Sequence, residues 1–120
     1  MKIALTRTFQ IEAAHRLPAL PKEHKCARMH GHSFQIEVRV EGDCDPKLGW
    51  LMDYAEIKAA FQPLFDQLDH HCLNEVPGLE NPTSELLAKW VWDRLKPRLP
   101  LLAGVIVAET CTARAEYQGG

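Results

Sequence analysis

Two segments of the chain alternate between apolar and polar residues, and they restrict the fold more than any other feature. Between Ile3 and Ala13 the odd positions are mostly apolar and the even positions are mostly polar. From Phe34 to Val40 the even positions are apolar, and the run ends at the turn-forming Gly42. Because successive side chains of a strand point to opposite faces, this period of two predicts two strands, each with one buried face.

Two helices are predicted after these strands. Asp53, with Glu56 three residues later, has the pattern of a capping box and starts the first helix. Asn81, with Pro82 at the first helical position, is predicted to cap a second helix that stops before Pro97. The apolar stripes at helical spacing contain Ile57, Phe61, Leu64, Phe65 and Leu68 in the first helix and Leu86, Leu87, Trp90, Val91 and Leu95 in the second.

The rest of the chain completes the expected α+β domain. Residues 105–107 and 112–117 favour two more short strands, so the predicted order is ββααββ. Consecutive strands usually pair antiparallel, and we therefore expect a four-stranded antiparallel sheet with both helices on one face. A chain of 120 residues has room for a single such domain, residues 1–120. Because the sheet has two free edge strands and few helices to cover them, we expect a homo-oligomer.

Charge and cysteine usage restrict the expected partners and compartment. The formal net charge is -2, so no global basic field attracts nucleic acid or an anionic membrane, and we expect neither as a partner. The first residues form no apolar signal segment, and no stretch approaches the roughly 20 apolar residues of a membrane span, so we expect a cytoplasmic protein. Four widely spaced cysteines disfavour a disulfide framework and a cysteine-rich structural zinc site.

Three histidines are predicted to converge at one end of the first two strands. His15 continues the apolar face of the first strand, while His30 and His32 share the parity of the apolar face of the second. If the strands pair as a hairpin, the end of one meets the start of the other. Three histidines with one open position suit catalytic zinc, because structural zinc normally has four protein ligands. The spacing also fits iron, since imidazole binds several first-row metals.

Several other side chains could take part in catalysis. Cys26 lies between Lys25 and Arg28, and neighbouring cations favour the reactive thiolate, although a small buried apolar side chain is the alternative. Asp69 directly precedes His70, and a carboxylate beside an imidazole can support proton transfer. Histidine is also favourable at the end of any helix, so this pair has an ordinary explanation as well.

A carboxylate and a cluster of cations could bind a ligand. Glu109 shares the parity of Val107, and an inward charge needs a partner, either a guanidine-like edge of a ligand or an arginine of the protein. The loop between the first two strands contains one acid, Glu23, and could be either a solvated loop or a local site for a phosphorylated substrate. Its four cations are Arg16, Lys22, Lys25 and Arg28.

Five motifs in this order resemble the pyruvoyl-tetrahydropterin synthase family over almost the whole chain. They are F-Q-I-E-A-A-H-R (Phe9 to Arg16), H-K-C-A-R-M-H-G-H (His24 to His32), L-D-H-H (Leu68 to His71), N-P-T-S-E (Asn81 to Glu85) and E-T-C-T-A (Glu109 to Ala113). Each motif is weak alone, but five in order with a matching element pattern are specific. Within the family, the short spacing from Cys26 to His30 resembles the bacterial 6-carboxytetrahydropterin synthases of queuosine (7-deazaguanine) synthesis.

The resemblance implies a tunnelling fold in which two trimers form a hexamer with active sites at subunit boundaries. It implies a carbon–carbon lyase that converts 7,8-dihydroneopterin triphosphate and water to 6-carboxy-5,6,7,8-tetrahydropterin, acetaldehyde and triphosphate. The implied roles are Zn²⁺ ligands for His15, His30 and His32, a proton shuttle for Cys26, an acid/base pair for Asp69 and His70, and a pterin anchor for Glu109. The alternatives are the pyruvoyl-forming reaction on the same substrate, a histidine-ligated iron oxygenase, and a non-catalytic subunit that binds a metal or a pterin.

Overall fold

The structure, a computed structural model that describes residues 1–120, contains four strands and two helices in the predicted ββααββ order. The strands are β1 (Lys2–His15), β2 (His30–Asp43), β3 (Leu102–Ala108) and β4 (Arg114–Tyr117), and the helices are α1 (Tyr54–Leu68) and α2 (Ser84–Leu95). The strands form one antiparallel sheet in the spatial order β1-β2-β3-β4, so the predicted α+β class is confirmed. Neither helix has the length and apolar character needed to cross a bilayer.

The β1–β2 hairpin is the longest element of the sheet. All fourteen residues of each strand pair, from Lys2 opposite Asp43 to His15 opposite His30. Residues that lie directly opposite each other in an antiparallel pair point to the same face. The structure therefore extends both predicted strands to the histidines, with His30 as the first residue of β2.

Both helices pack on the face formed by the apolar positions of the hairpin, as predicted. The ring of Phe61 stacks on that of Phe9, with centroids 4.3 Å apart. Helix α1 begins after Asp53, whose carboxylate accepts a hydrogen bond from the N–H of Ala55 at 2.9 Å. A capping box would require this bond to come from the N–H of Glu56, so Asp53 caps the helix without forming the predicted box. The buried helix residues are Ile57, Phe61, Leu64 and Leu68 in α1 and Leu87, Ala88, Trp90, Val91 and Leu95 in α2.

The prediction for the start of α2 is wrong by two residues. Thr83, not Asn81, is the cap, because its hydroxyl accepts a hydrogen bond from the N–H of Leu86 at 3.1 Å. Pro82 precedes the cap, and the helix begins at Ser84. Leu86, in the first turn of the helix, is 45% exposed, so it does not belong to the buried side of the predicted apolar stripe.

The segment after α1 runs alongside the outer edge of β1 near its end. The N–H of His70 donates to the carbonyl of Glu12 at 2.7 Å, and the N–H of Ala14 donates to the carbonyl of His71 at 3.2 Å. A parallel bridge then joins Ala14 to Cys72. These bonds hold the end of α1 against the histidine-bearing end of the hairpin.

Removing the ring that joins α1 to the hairpin should strongly destabilise the fold. We expect Phe61→Ala to lower the free energy of unfolding by about 3–5 kcal/mol, because Phe61 is fully buried and its loss leaves a cavity. Lys58→Ala on the exposed side of the same helix should change it by less than about 0.5 kcal/mol. Urea titrations of both variants at equal protein concentration test this, and equal midpoints would contradict the packing described above.

Candidate active site

Three imidazoles lie together at the end of the hairpin, as their parity predicts. His15 pairs with His30, and His32 pairs with Ala13 on the same face. The ring centroid of His15 lies 4.6 Å from that of His30 and 5.3 Å from that of His32. One nitrogen atom of each of the three rings lies within 4.8 Å of the other two. The ring of Phe34 packs edge-on against His15 and His32 and forms the apolar floor of the cluster.

Hydrogen bonds to carbonyl oxygens orient two of these rings. Nδ1 of His15 donates to the carbonyl of Pro82 at 2.8 Å, and Nδ1 of His30 donates to the carbonyl of Arg28 at 2.7 Å. Since a carbonyl oxygen can only accept, the proton of each neutral ring is assigned to Nδ1 and the lone pair to Nε2. Burial lowers the pKa of His15, which favours this neutral form.

The nitrogens that face the centre of the cluster lack partners. Nε2 of His15 and Nε2 of His32 are buried without a hydrogen bond, and only 1% of His15 is exposed. Buried polar atoms are normally paired, and lone pairs that converge from several imidazoles are satisfied by a metal cation. The cluster can therefore hold a metal ion through three nitrogens and leave a further position open.

Glu109 lies beside this cluster, directly after β3. Its Oε2 is 3.7 Å from Nε2 of His32, and its Oε1 accepts a hydrogen bond from the hydroxyl of Ser84 at 2.7 Å. No arginine forms an ion pair with Glu109, since Arg114 pairs with Glu37 instead. The internal arginine pair considered from the sequence is therefore absent, and the carboxylate remains available to a ligand. Ser84 was not among the residues expected in the site.

Asp69 and His70 form an oriented pair at the outer edge of β1. Nδ1 of His70 donates to Oδ2 of Asp69 at 2.8 Å, while Oδ1 accepts from the N–H of Glu12 at 2.9 Å. The bond from Glu12, the largest contribution, lowers the pKa of Asp69 and keeps it ionised. His70 has a φ of 58°, an unfavourable conformation for a residue with a side chain, and its side chain is 77% exposed. Such strain is typical of functional sites.

Glu12 and Ser33 lie next to the Asp69–His70 pair, and the sequence analysis did not identify either as a site residue. The hydroxyl of Ser33 donates to Oε1 of Glu12 at 2.5 Å, and this bond is the main cause of the lowered pKa of Glu12. The two residues lie opposite each other in the hairpin, on the face away from the three histidines. They line an open depression of about 570 Å³ together with Ala13, Ala14, Gly31, His32, His70, His71 and Cys72. The apolar–polar alternation of the sequence does not give the register of the hairpin, and only that register shows that Glu12 and Ser33 lie opposite each other.

Cys26 lies in the loop that joins β1 to β2. It occupies a short 3₁₀ turn, Lys25–Ala27, that begins after His24, and Nδ1 of His24 accepts a hydrogen bond from its N–H at 3.0 Å. Its carbonyl accepts from the N–H of Leu17 at 2.8 Å. The thiol is free, half-buried and without a hydrogen bond to the histidines or to Asp69. Within one chain, the structure thus gathers the three histidines with Glu109 but does not bring the thiol of Cys26 into this group.

Known proteins resemble this chain in sequence and in fold. The family model described as 6-pyruvoyl tetrahydropterin synthase matches residues 4–120. A 6-carboxy-5,6,7,8-tetrahydropterin synthase of Synechocystis sp. is 44% identical over 117 residues, which cover 92% of this chain and 89% of the relative. A dihydroneopterin monophosphate aldolase of Pyrococcus furiosus is 34% identical over 100 residues, covering 83% of this chain and 81% of the relative.

The fold comparison agrees with the sequence comparison. The solved structure of the 6-pyruvoyl tetrahydropterin synthase of Caenorhabditis elegans matches with a TM-score of 0.90 at 26% identity, covering 100% of this chain and 97% of that chain. The match includes the four-stranded antiparallel sheet and the two helices that place the histidine cluster. The chain therefore belongs to the 6-pyruvoyl tetrahydropterin synthase family and has its tunnelling fold.

Proposed function

We propose that this chain is a 6-carboxytetrahydropterin synthase. It would convert 7,8-dihydroneopterin triphosphate and water to 6-carboxy-5,6,7,8-tetrahydropterin, acetaldehyde and triphosphate, a carbon–carbon bond cleavage. The observation that carries the proposal is the cluster of three imidazoles, of which His15 is buried and the other two are half-buried, beside a carboxylate without an arginine partner. The 44% identity to the Synechocystis relative with this activity in its name supports it further. The product would enter queuosine synthesis, and the enzyme would act in the cytoplasm.

Zinc is the metal that this donor set favours. His15, His30 and His32 would hold it, because two of the rings present Nε2 while their Nδ1 protons are engaged by carbonyl oxygens. Zinc supplies Lewis acidity, which polarises oxygens of the substrate and makes neighbouring C–H protons more acidic. The carbonyls of Pro82 and Arg28 hold the first two rings in the orientation that this role requires.

The remaining side chains have roles that follow from their chemistry. Glu109 would bind the guanidine-like edge of the pterin through paired hydrogen bonds, with the hydroxyl of Ser84 holding its carboxylate in place. Cys26 would transfer a proton on one side of the substrate, and His70 would do so on the other. Asp69, which stays ionised, would orient the imidazole of His70 and stabilise its charged form.

The proposed active site includes residues from more than one copy of the chain. The three histidines lie on the face of the hairpin covered by the helices, whereas Glu12, the neighbour of the Asp69–His70 pair, points away from it. His32 and His70 of one chain also line the same depression. Because members of this family are expected to have active sites at subunit boundaries, we propose that a substrate bound at the metal meets the Asp69–His70 pair of an adjacent subunit. The edge of β4 and the part of the β1 edge that residues 70–72 do not cover give such copies a means of association, and we propose a hexamer of two trimers.

Product analysis tests the reaction. Zinc-loaded protein incubated with 7,8-dihydroneopterin triphosphate should release acetaldehyde and 6-carboxytetrahydropterin, both identified by mass spectrometry. Cys26→Ala should lower kcat by about 10²–10⁴-fold, the usual effect of losing a proton-transfer group. Cys44→Ala, which removes a half-buried thiol from the other end of the hairpin, should retain activity. A pyruvoyl product would assign the sister reaction, and no turnover of any pterin would contradict the proposal.

Metal analysis tests the histidine cluster separately. Wild-type protein should retain about one zinc per chain after dialysis, as expected for a site with three protein ligands. His30→Ala should lose the metal, whereas His71→Ala, an exposed histidine outside the cluster, should keep it. Elemental analysis measures both. Retention of zinc by His30→Ala would remove the basis for the site, and iron in the wild type would favour the oxygenase alternative.

Complementation between inactive variants tests the shared active site. Cys26→Ala and His70→Asn should each be inactive, and asparagine tolerates the positive φ of position 70. After dissociation and random reassembly of an equal mixture, about a quarter of the sites should combine an intact Cys26 with an intact His70 of a neighbour. Activity measured against the unmixed variants reports this. A mixture that stays inactive, while native mass spectrometry shows mixed hexamers, would place both groups in one subunit.

A further inference from the structure

We propose that the loop between β1 and β2, residues 16–29, binds the polyphosphate group of the substrate. Arg16 and Arg28 would make the principal contacts, with Lys22 and Lys25 adding charge. This inference rests on the proposed function and deepens it, because it identifies residues that select a triphosphate over a monophosphate.

The two arginines begin next to the metal cluster. Arg16 directly follows His15 at the end of β1, and the carbonyl of Arg28 accepts the hydrogen bond from Nδ1 of His30 at 2.7 Å. Both residues therefore lie at the end of the hairpin at which His15 and His30 face each other, and both are exposed. We infer that the two long, exposed side chains can reach the phosphate end of a substrate held at the metal.

The cations of this loop have no partners within the protein. Elsewhere, Arg39 pairs with two carboxylates and Arg114 with Glu37, although the separated cations Lys47 and Arg98 also lack side-chain partners. None of the four loop cations donates a side-chain hydrogen bond or forms an ion pair, and all four are exposed: Arg16, Lys22, Lys25 and Arg28. Four unpaired cations against one acid, Glu23, give this loop a local positive charge that favours a multiply charged anion.

The loop backbone is held in place rather than merely solvated. The side chain of Asn74 accepts from the N–H of Arg16 at 2.9 Å and donates to the carbonyl of Arg16 at 2.8 Å. The N–H of Leu17 donates to the carbonyl of Cys26 at 2.8 Å, which joins the two ends of the loop. These bonds keep the Arg16 end and the Lys25–Arg28 end adjacent before any ligand binds, which lowers the entropy cost of binding.

The number of cations matches a chain of phosphates better than a single one. Arginine binds phosphate through two parallel hydrogen bonds, so two arginines engage two phosphate groups and the lysines add charge for a third. The Pyrococcus furiosus relative has a monophosphate in its name, so relatives at 34% identity already differ in this part of the substrate. We infer that the loop cations make that distinction in this chain.

Binding of inorganic tripolyphosphate to zinc-loaded protein tests the loop without any pterin. The double variant Arg16→Gln/Arg28→Gln should bind it at least about 10-fold more weakly in calorimetry, because two charge-assisted contacts are lost. Lys47→Gln/Arg98→Gln removes the same charge from two exposed cations without side-chain partners and should change the affinity less than about 2-fold. Equal weakening by the two pairs, or no weakening by the loop pair, would overturn the inference.

Kinetics then separate this inference from the proposed function. The loop pair should raise KM for 7,8-dihydroneopterin triphosphate about 10-fold or more with little change in kcat, and should hardly alter turnover of the monophosphate. Unchanged zinc content shows that the variant is folded at the site. Turnover with an unaltered KM would refute the loop assignment and leave the reaction in place. A protein that binds tripolyphosphate through the loop but converts no pterin would refute the reaction and leave the loop assignment in place.

Discussion

The in-register pairing of β1 with β2 determines where every candidate site residue lies. Because residues directly opposite each other share a face, the pair of His15 with His30 places both rings on the helix-covered side. The adjacent pair, Ala14 with Gly31, faces the opposite side of the sheet and has only small side chains. The pair of Glu12 with Ser33 lies on that same opposite face. A slip of one residue in this register would separate the imidazoles and place them on opposite faces.

Much of this arrangement could be predicted from the sequence, because alternation reports which residues share a face. The parity of His15, His30 and His32 predicted the cluster, and the hairpin confirms it. The cap of α2 could not be decided in the same way, since Asn81 and Thr83 are both good cap residues. Only the folded chain shows that the carbonyl of Pro82, between them, is used to orient His15.

The contacts that sequence reasoning missed are tertiary and involve the backbone. The Asp69–His70 pair is held by the N–H and the carbonyl of Glu12, two groups that every residue except proline possesses. No sequence pattern records such a contact, because it depends on where the end of α1 meets the edge of β1. Ser84 escaped notice for a similar reason, since its hydroxyl reaches Glu109 only after α2 has packed beside β3.

Departures from ordinary packing rules are concentrated at one end of the hairpin. The buried nitrogens of His15 and His32 lack partners there, and His70 adopts a strained φ nearby. Each feature costs free energy, and the core between the sheet and the two helices offsets that cost. β3 pairs with β2 only from Gln35 onwards, so the first residues of β2 extend beyond it and leave the histidine end open. In the proposed assembly, a neighbouring copy would close this opening, so that association and catalysis would depend on the same unpaired end of the sheet.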